Sequence, residues 1–144
     1  MWLTLVYFCG IFVYYLMKIM AAYKVLVVDD NADIRTLYDE ELTGEGYQVI
    51  TAANGEEALQ IAREDPPDVV ILDIAMPVKS GLETLTELAG AHGGIPVIVN
   101  TAYPLFRFDF RSLRAAAWLV KSSNLTELKT TLHRILNERS EEKL

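Results

Sequence analysis

The chain has 144 residues, enough for one domain with a hydrophobic core of its own. A formal net charge of −7 argues against direct binding to nucleic-acid phosphate. The single cysteine, Cys9, excludes an internal disulfide and a cysteine-based zinc site, and His92 and His133 offer no metal-ligand spacing.

The chain opens on "MWLTLVYFCGIFVYYLM", apolar but for Thr4, Gly10 and tyrosine hydroxyls. A spanning helix needs roughly 20 apolar residues and at least about 17, so this segment just qualifies. It lacks a basic leading region and a clear small-residue cleavage site, unlike a signal peptide. Lys18 and Lys24 follow the run and nothing basic precedes it, so an anchor here would leave the globular part in the cytoplasm. Three readings stand side by side. The segment is an upstream extension of a soluble protein starting at Met17 or Met20, a membrane anchor, or a piece packed on the domain. The expected division is therefore residues 1–22 apolar, 23–140 globular, and 141–144 a solvated tail.

From Lys24 the pattern alternates between apolar strands and amphipathic helices. "KVLVV" is the first strand, and Asn31 caps the helix after it, whose Ile34, Leu37, Tyr38 and Leu42 follow helical spacing with Glu41 at the edge. Gly44 and Gly46 end that helix, and "YQVIT" is a second strand. Asn54 with Glu57 reads as a capping box, and Pro66-Pro67 breaks the chain before the third strand, "DVVILD". Ser80 and Glu83 form another box, opening a helix with Leu82, Leu85, Leu88 and Ala89 inward. "IPVIVNT" is the fourth strand, and Pro104 suits the start of a fourth helix with Phe106, Phe110 and Leu113 on its inner stripe. Phe108 lies off that stripe and is the better surface candidate. "AAWLVK" is the fifth strand. Asn124 with Glu127 caps a last helix facing inward through Leu125, Leu128, Leu132, Ile135 and Leu136. The alternation predicts a doubly wound α/β fold, a five-stranded parallel sheet with helices on both faces and no further domain after residue 140.

In such sheets ligands bind beyond the carboxyl ends of the strands. Those ends carry Asp29 and Asp30, Asp73, Thr101 and Lys121. Three carboxylates on one rim repel unless a cation sits among them. A hard divalent ion such as Mg²⁺, using one or two carboxylates with water and phosphate oxygens, fits that set. The same set suits phosphoryl transfer to an aspartate nucleophile, with a lysine and a hydroxyl on the phosphoryl oxygens.

The order and spacing of "VLVVDDNADIR", "DVVILDIAMPVKSG", "IPVIVNTA" and "WLVK" resemble the receiver domain of two-component response regulators, over residues 24 to about 138. The resemblance implies a flavodoxin-like sheet of strand order 2-1-3-4-5. It implies that a sensor histidine kinase or phosphotransfer protein gives a phosphoryl group to Asp73, with Mg²⁺ as cofactor. Asp30 then matches the direct metal ligand, Asp29 the acid acting mainly through water, and Ala75 the residue whose backbone carbonyl completes the shell. Thr101 matches the hydroxyl residue that moves toward the phosphoryl group, Lys121 the lysine that pairs with the acyl phosphate, and Trp118 the aromatic switch. Met76-Pro77 and Gly81 match the loop after the phosphoacceptor. The implied partners are a phosphodonor protein and a downstream protein, with a phosphorylation-linked homodimer allowed; a membrane enters only if residues 1–22 anchor the chain.

The chain also departs from the pattern. Ser122 stands where the family has a proline after a cis bond, and a cis bond before a non-proline residue costs about 2.5–4 kcal/mol. A trans Lys121–Ser122 bond is therefore expected, aiming Lys121 less well. "RAAAW" lacks the usual glycine, and the short stretch from Thr101 to Lys121 predicts a shortened or irregular fourth helix. Trp118 is bulkier than the usual tyrosine or phenylalanine. Two rivals follow. A pseudo-receiver would bind partners without phosphorylation. A haloacid-dehalogenase-type phosphatase would need an acid at Ala75, which is absent. With Ala75 and Tyr103 two residues beyond Asp73 and Thr101, no acid or amide positions an attacking water, so a long-lived phosphoform is expected.

Overall fold

Strand runs that are apolar on both faces need cover on both sides, and the computed structural model shows how this chain supplies it. It describes residues 2–20, 22–76, 80–91, 94–108 and 113–142; Pro77, His92, Phe110 and Arg111 lie outside these, as do the side chains of residues 14–20, Phe106 and Arg107. The elements run α1 (Trp2–Met20), β1 (Lys24–Val28), α2 (Ala32–Gly44), β2 (Gln48–Ala52), α3 (Gly55–Glu64), β3 (Val69–Leu72), α4 (Gly81–Gly90), β4 (Val97–Thr101), a 3₁₀ turn (Pro104–Phe108), β5 (Ala117–Val120) and α5 (Thr126–Glu142).

The five strands form one parallel sheet of order β2-β1-β3-β4-β5, the order that the receiver resemblance implies. Strand side chains alternate between two cores. Leu26, Val28, Val70, Leu72, Val97 and Val99 pack with α3 and α4 on one face. Val25, Val27, Val69, Ile71, Ile98 and Leu119 pack with α2 and α5 on the other. All five residues of the expected α5 stripe are buried. Leu37 of α2, predicted inward, is 39% exposed.

Local hydrogen bonds explain where the helices begin. The Asn31 side chain accepts from the backbone N–H groups of Asp33 and Ile34, and Asn54 accepts from Glu57 N while the Glu57 carboxylate accepts from Ala53 N. Ser80 occupies the cap position of α4, yet its side chain makes no capping bond. Asn124 accepts from Thr126 N, two residues on, so it closes an Asx turn before α5 instead of pairing with Glu127. Helix α5 then runs through Glu142, where the sequence predicts a solvated tail from residue 141.

Among the described residues of the β4–β5 connection the 3₁₀ turn stands where the sequence predicts a shortened or irregular helix. Leu113 is 85% exposed and does not belong to an inward stripe, whereas Phe108 is exposed as expected. At the other end of the chain, the described side chains of α1 are all exposed. Among the described residues, no helix is long and apolar enough to cross a membrane.

Candidate functional site

Parallel strands deliver their carboxyl ends to one rim, and the register brings the acids level. Val28 of β1 pairs with Leu72 of β3, so Asp29 and Asp73 leave neighbouring strands together. The Asp73 N–H donates to the Val28 carbonyl at 2.9 Å, and the Asp29 N–H donates to the Ala52 carbonyl at 3.2 Å. Asp29 and Asp73 are buried, while Asp30 is exposed beside them. Carboxylate oxygens of the three lie within 4.8 Å of one another.

Strand β5 supplies the counter-charge. Val120 pairs with Thr101, and the Lys121 N–H donates to the Thr101 carbonyl at 3.0 Å. From there the Lys121 ammonium reaches Asp29 Oδ2 at 2.6 Å and Asp73 Oδ2 at 2.9 Å. No peptide bond among the described residues is cis. The expected poorer aim of Lys121 is not found, because the chain turns without proline: Ser122 Oγ accepts from Asn124 N at 3.1 Å and closes the loop locally. Burial pulls the Lys121 pKa down, but the hydrogen bonds that its ammonium donates to Asp29 and Asp73 more than offset it, and the net shift is upward.

One ammonium against three carboxylates leaves two formal negative charges uncompensated. That deficit, with an all-oxygen donor set, matches a hard divalent cation. Thr101 is fully buried, and its Oγ1 accepts from Tyr103 N at 3.1 Å. Strand alternation puts Thr101 on the α4 face with Val97 and Val99. Trp118, in register with Val99, is half-buried against the same core. The Ala75 N–H donates to Asp73 Oδ1 at 3.1 Å, holding the segment after Asp73 against its carboxylate. The structure thus gathers Asp29, Asp30, Asp73 and Lys121 into direct reach, with Thr101, Ala75 and Trp118 around them.

Three contributors are not evident in the sequence reading. Arg35 Nη1 donates to the Asp29 carbonyl at 2.7 Å. Asn100 and Tyr38 share a buried hydrogen bond beneath the rim. A lone amide within the apolar run "IPVIVNT" was the available signal for Asn100; Tyr38 reads as ordinary core.

Residues 25–133 match the response regulator receiver domain family. The chain belongs to this family. Its fold is accordingly the flavodoxin-like one, and its setting is two-component signalling. The receiver is 37% identical over 118 residues to the transcriptional regulatory protein PrrA of Mycobacterium tuberculosis, a match covering 81% of this chain and 51% of that protein. It therefore spans about half the length of that relative. It is 35% identical over 115 residues to sporulation initiation phosphotransferase F of Bacillus subtilis, covering 78% of this chain and 93% of that one. Among solved structures, the response regulator TrrA of Thermotoga maritima in complex with Mg²⁺-BeF is 44% identical, with a TM-score of 0.76, covering 78% of this chain and 98% of that one. TrrA in complex with the histidine kinase ThkA matches at 45% identity and a TM-score of 0.74, covering 79% and 98%.

Proposed function

We propose that this receiver accepts a phosphoryl group on Asp73 from a histidine kinase or phosphotransfer protein, and that the phosphorylated form changes its binding to a downstream protein. The observation that carries this reading is the convergence of three carboxylates from two adjacent strands with Lys121 between two of them. Asp30 and Asp73 would hold Mg²⁺ directly, Asp29 mainly through water, and the Ala75 carbonyl would complete the protein ligands. The bound ion would supply charge neutralisation on the phosphoryl oxygens.

An Asp73 Oδ attacks phosphorus as the P–N bond to the donor histidine breaks, and the departing imidazole keeps the bonding pair. Lys121 and Thr101 then hydrogen-bond the phosphoryl oxygens. Drawing Thr101 toward the phosphoryl group changes the α4 face that it shares with Trp118, which gives the switch its route to the surface. The working unit is residues 23–140, preceded by the apolar segment 1–22, and it meets its donor in the cytoplasm.

The test uses the full chain with acetyl phosphate, with and without Mg²⁺, read by intact mass. Wild type should gain one phosphoryl group only with Mg²⁺, and Asp73→Asn none. The label should persist after donor removal, because Ala75 and Tyr103 offer no group to orient water. Wild type that gains no label would leave the pseudo-receiver as the surviving reading.

A further inference from the structure

The core layer between the sheet and α2/α5 contains a polar pair where apolar side chains would pack. Asn100 of β4 is 4% exposed and Tyr38 of α2 is 3% exposed. The Asn100 side-chain amide donates to the Tyr38 hydroxyl at 2.7 Å. Replacing both members of such a pair by apolar residues of similar shape is close to neutral for stability. Stability alone therefore gives little reason for it, and its placement gives a better one.

Helix α2 packs against β1 and β2. Tyr38 nevertheless meets β4, which lies beyond β3 in the sheet order. The bond thus crosses the face of β3, the strand that delivers Asp73. At its helix end, Arg35, one turn before Tyr38, holds the Asp29 carbonyl. At its strand end, Asn100 directly precedes Thr101 and stands in register with Leu119, two residues before Lys121. Both side chains are buried in the core of this face, where close packing leaves little freedom to repack.

We propose that the Tyr38–Asn100 hydrogen bond is a brace across the site, fixing the arm that carries Thr101 and Lys121 relative to the arm that carries Asp29 and Asp30. The proposal rests on Asp73 being the phosphoacceptor. Tyr38 and Asn100 act here as positioning residues and touch no reacting atom. The brace spans β4 and α2, whereas the three carboxylates follow the ends of β1 and β3. Its loss should therefore disturb phosphoryl transfer more than metal binding.

The experiment compares wild type, Tyr38→Phe, Asn100→Leu and the double variant, each as the full chain. Urea midpoints, Mg²⁺ affinity by calorimetry and the rate of labelling by acetyl phosphate are measured on all four. The double variant should recover a midpoint near wild type and bind Mg²⁺ within about twofold, yet label about tenfold more slowly. Tyr38→Phe, which keeps the ring packing, should show the same split between metal affinity and rate and carries the test if the other variants fold poorly. Wild-type labelling rates in the double variant and in Tyr38→Phe would overturn the brace while leaving the phosphoacceptor reading intact. So would a loss of Mg²⁺ affinity in step with the rate, which signals general loosening. A wild type that takes no label overturns the phosphoacceptor reading and the brace with it.

Discussion

Lys121 stands between Asp29 and Asp73, where an incoming cation must compete with it for the same oxygens. Replacing it by methionine leaves two buried carboxylates facing each other. Fully buried pairs broken this way lose about 3–5 kcal/mol. Lys121 is 21% exposed, so a smaller loss, about 1–3 kcal/mol, is expected for Lys121→Met without Mg²⁺. Saturating Mg²⁺ should stabilise that variant more than it stabilises wild type, measured as urea midpoints with and without the ion. Equal increments would show that the lysine and the metal do not compete. A second residue-scale effect concerns tyrosine. Burial raises the pKa of Tyr38, with the Asn100 bond acting against it, and burial beside Glu45 raises that of Tyr47. Folded protein then holds these protons more tightly than unfolded chain. Their stabilisation is complete below tyrosine's ordinary 10.0 and is lost as pH rises through the raised values. Unfolding midpoints should fall over that alkaline range, and less steeply in Tyr38→Phe. The acids, Thr101 and Lys121 were legible in sequence because each closes an apolar run. The proximity of Lys121 to Asp29 was not, since it depends on where β5 ends relative to β1, with β3 and β4 between them in the sheet.

At the scale of elements, α4 begins in contact with the segment that carries the phosphoacceptor. A Cβ placed on Gly81 would lie 2.2 Å from Ile74 Cα and 2.7 Å from its carbonyl oxygen. Both are backbone atoms, so neither can swing aside. Gly81→Ala should cost at least about 1–3 kcal/mol and slow labelling, because Ile74 follows Asp73 directly. Gly44→Ala, with open space around its Cβ, serves as the control and should be near neutral. The sequence marks Gly81 only as part of a resemblance; its steric reason appears once α4 is docked. The capping signals divide similarly. Asn31 and Asn54 cap as their spacing predicts, while Ser80 and Asn124 sit at helix starts but bond otherwise or not at all. Serine and asparagine announce a helix start, but which N–H they meet is decided by the loop that leads in. The helix expected between β4 and β5 shows the limit of periodicity. Phe106, Phe110 and Leu113 have helical spacing, yet the described part of the connection is a 3₁₀ turn and Leu113 is exposed.

For the whole molecule, the doubly wound parallel class followed from the alternation of apolar strands with amphipathic helices, whereas the strand order came from the resemblance to receiver domains. The N-terminal segment followed no such rule, being apolar all round and so without a periodicity that names a partner. Its described side chains contribute nothing to either core cluster. Removing residues 1–19 should accordingly leave the urea midpoint and the Mg²⁺-dependent labelling of the receiver unchanged. A lower midpoint in the truncated chain would assign the segment to the fold.

The separation of Lys121 from Asp73 by 48 residues also has a temporal side. A ribosome adding about 5–20 residues per second delivers the third acid roughly 2–10 s before the lysine. Through that interval the growing chain carries all three acids without the lysine that neutralises them in the fold, and without Thr101 for most of the wait. Strand β5 is therefore the last part of the sheet to arrive and the part that neutralises the rim.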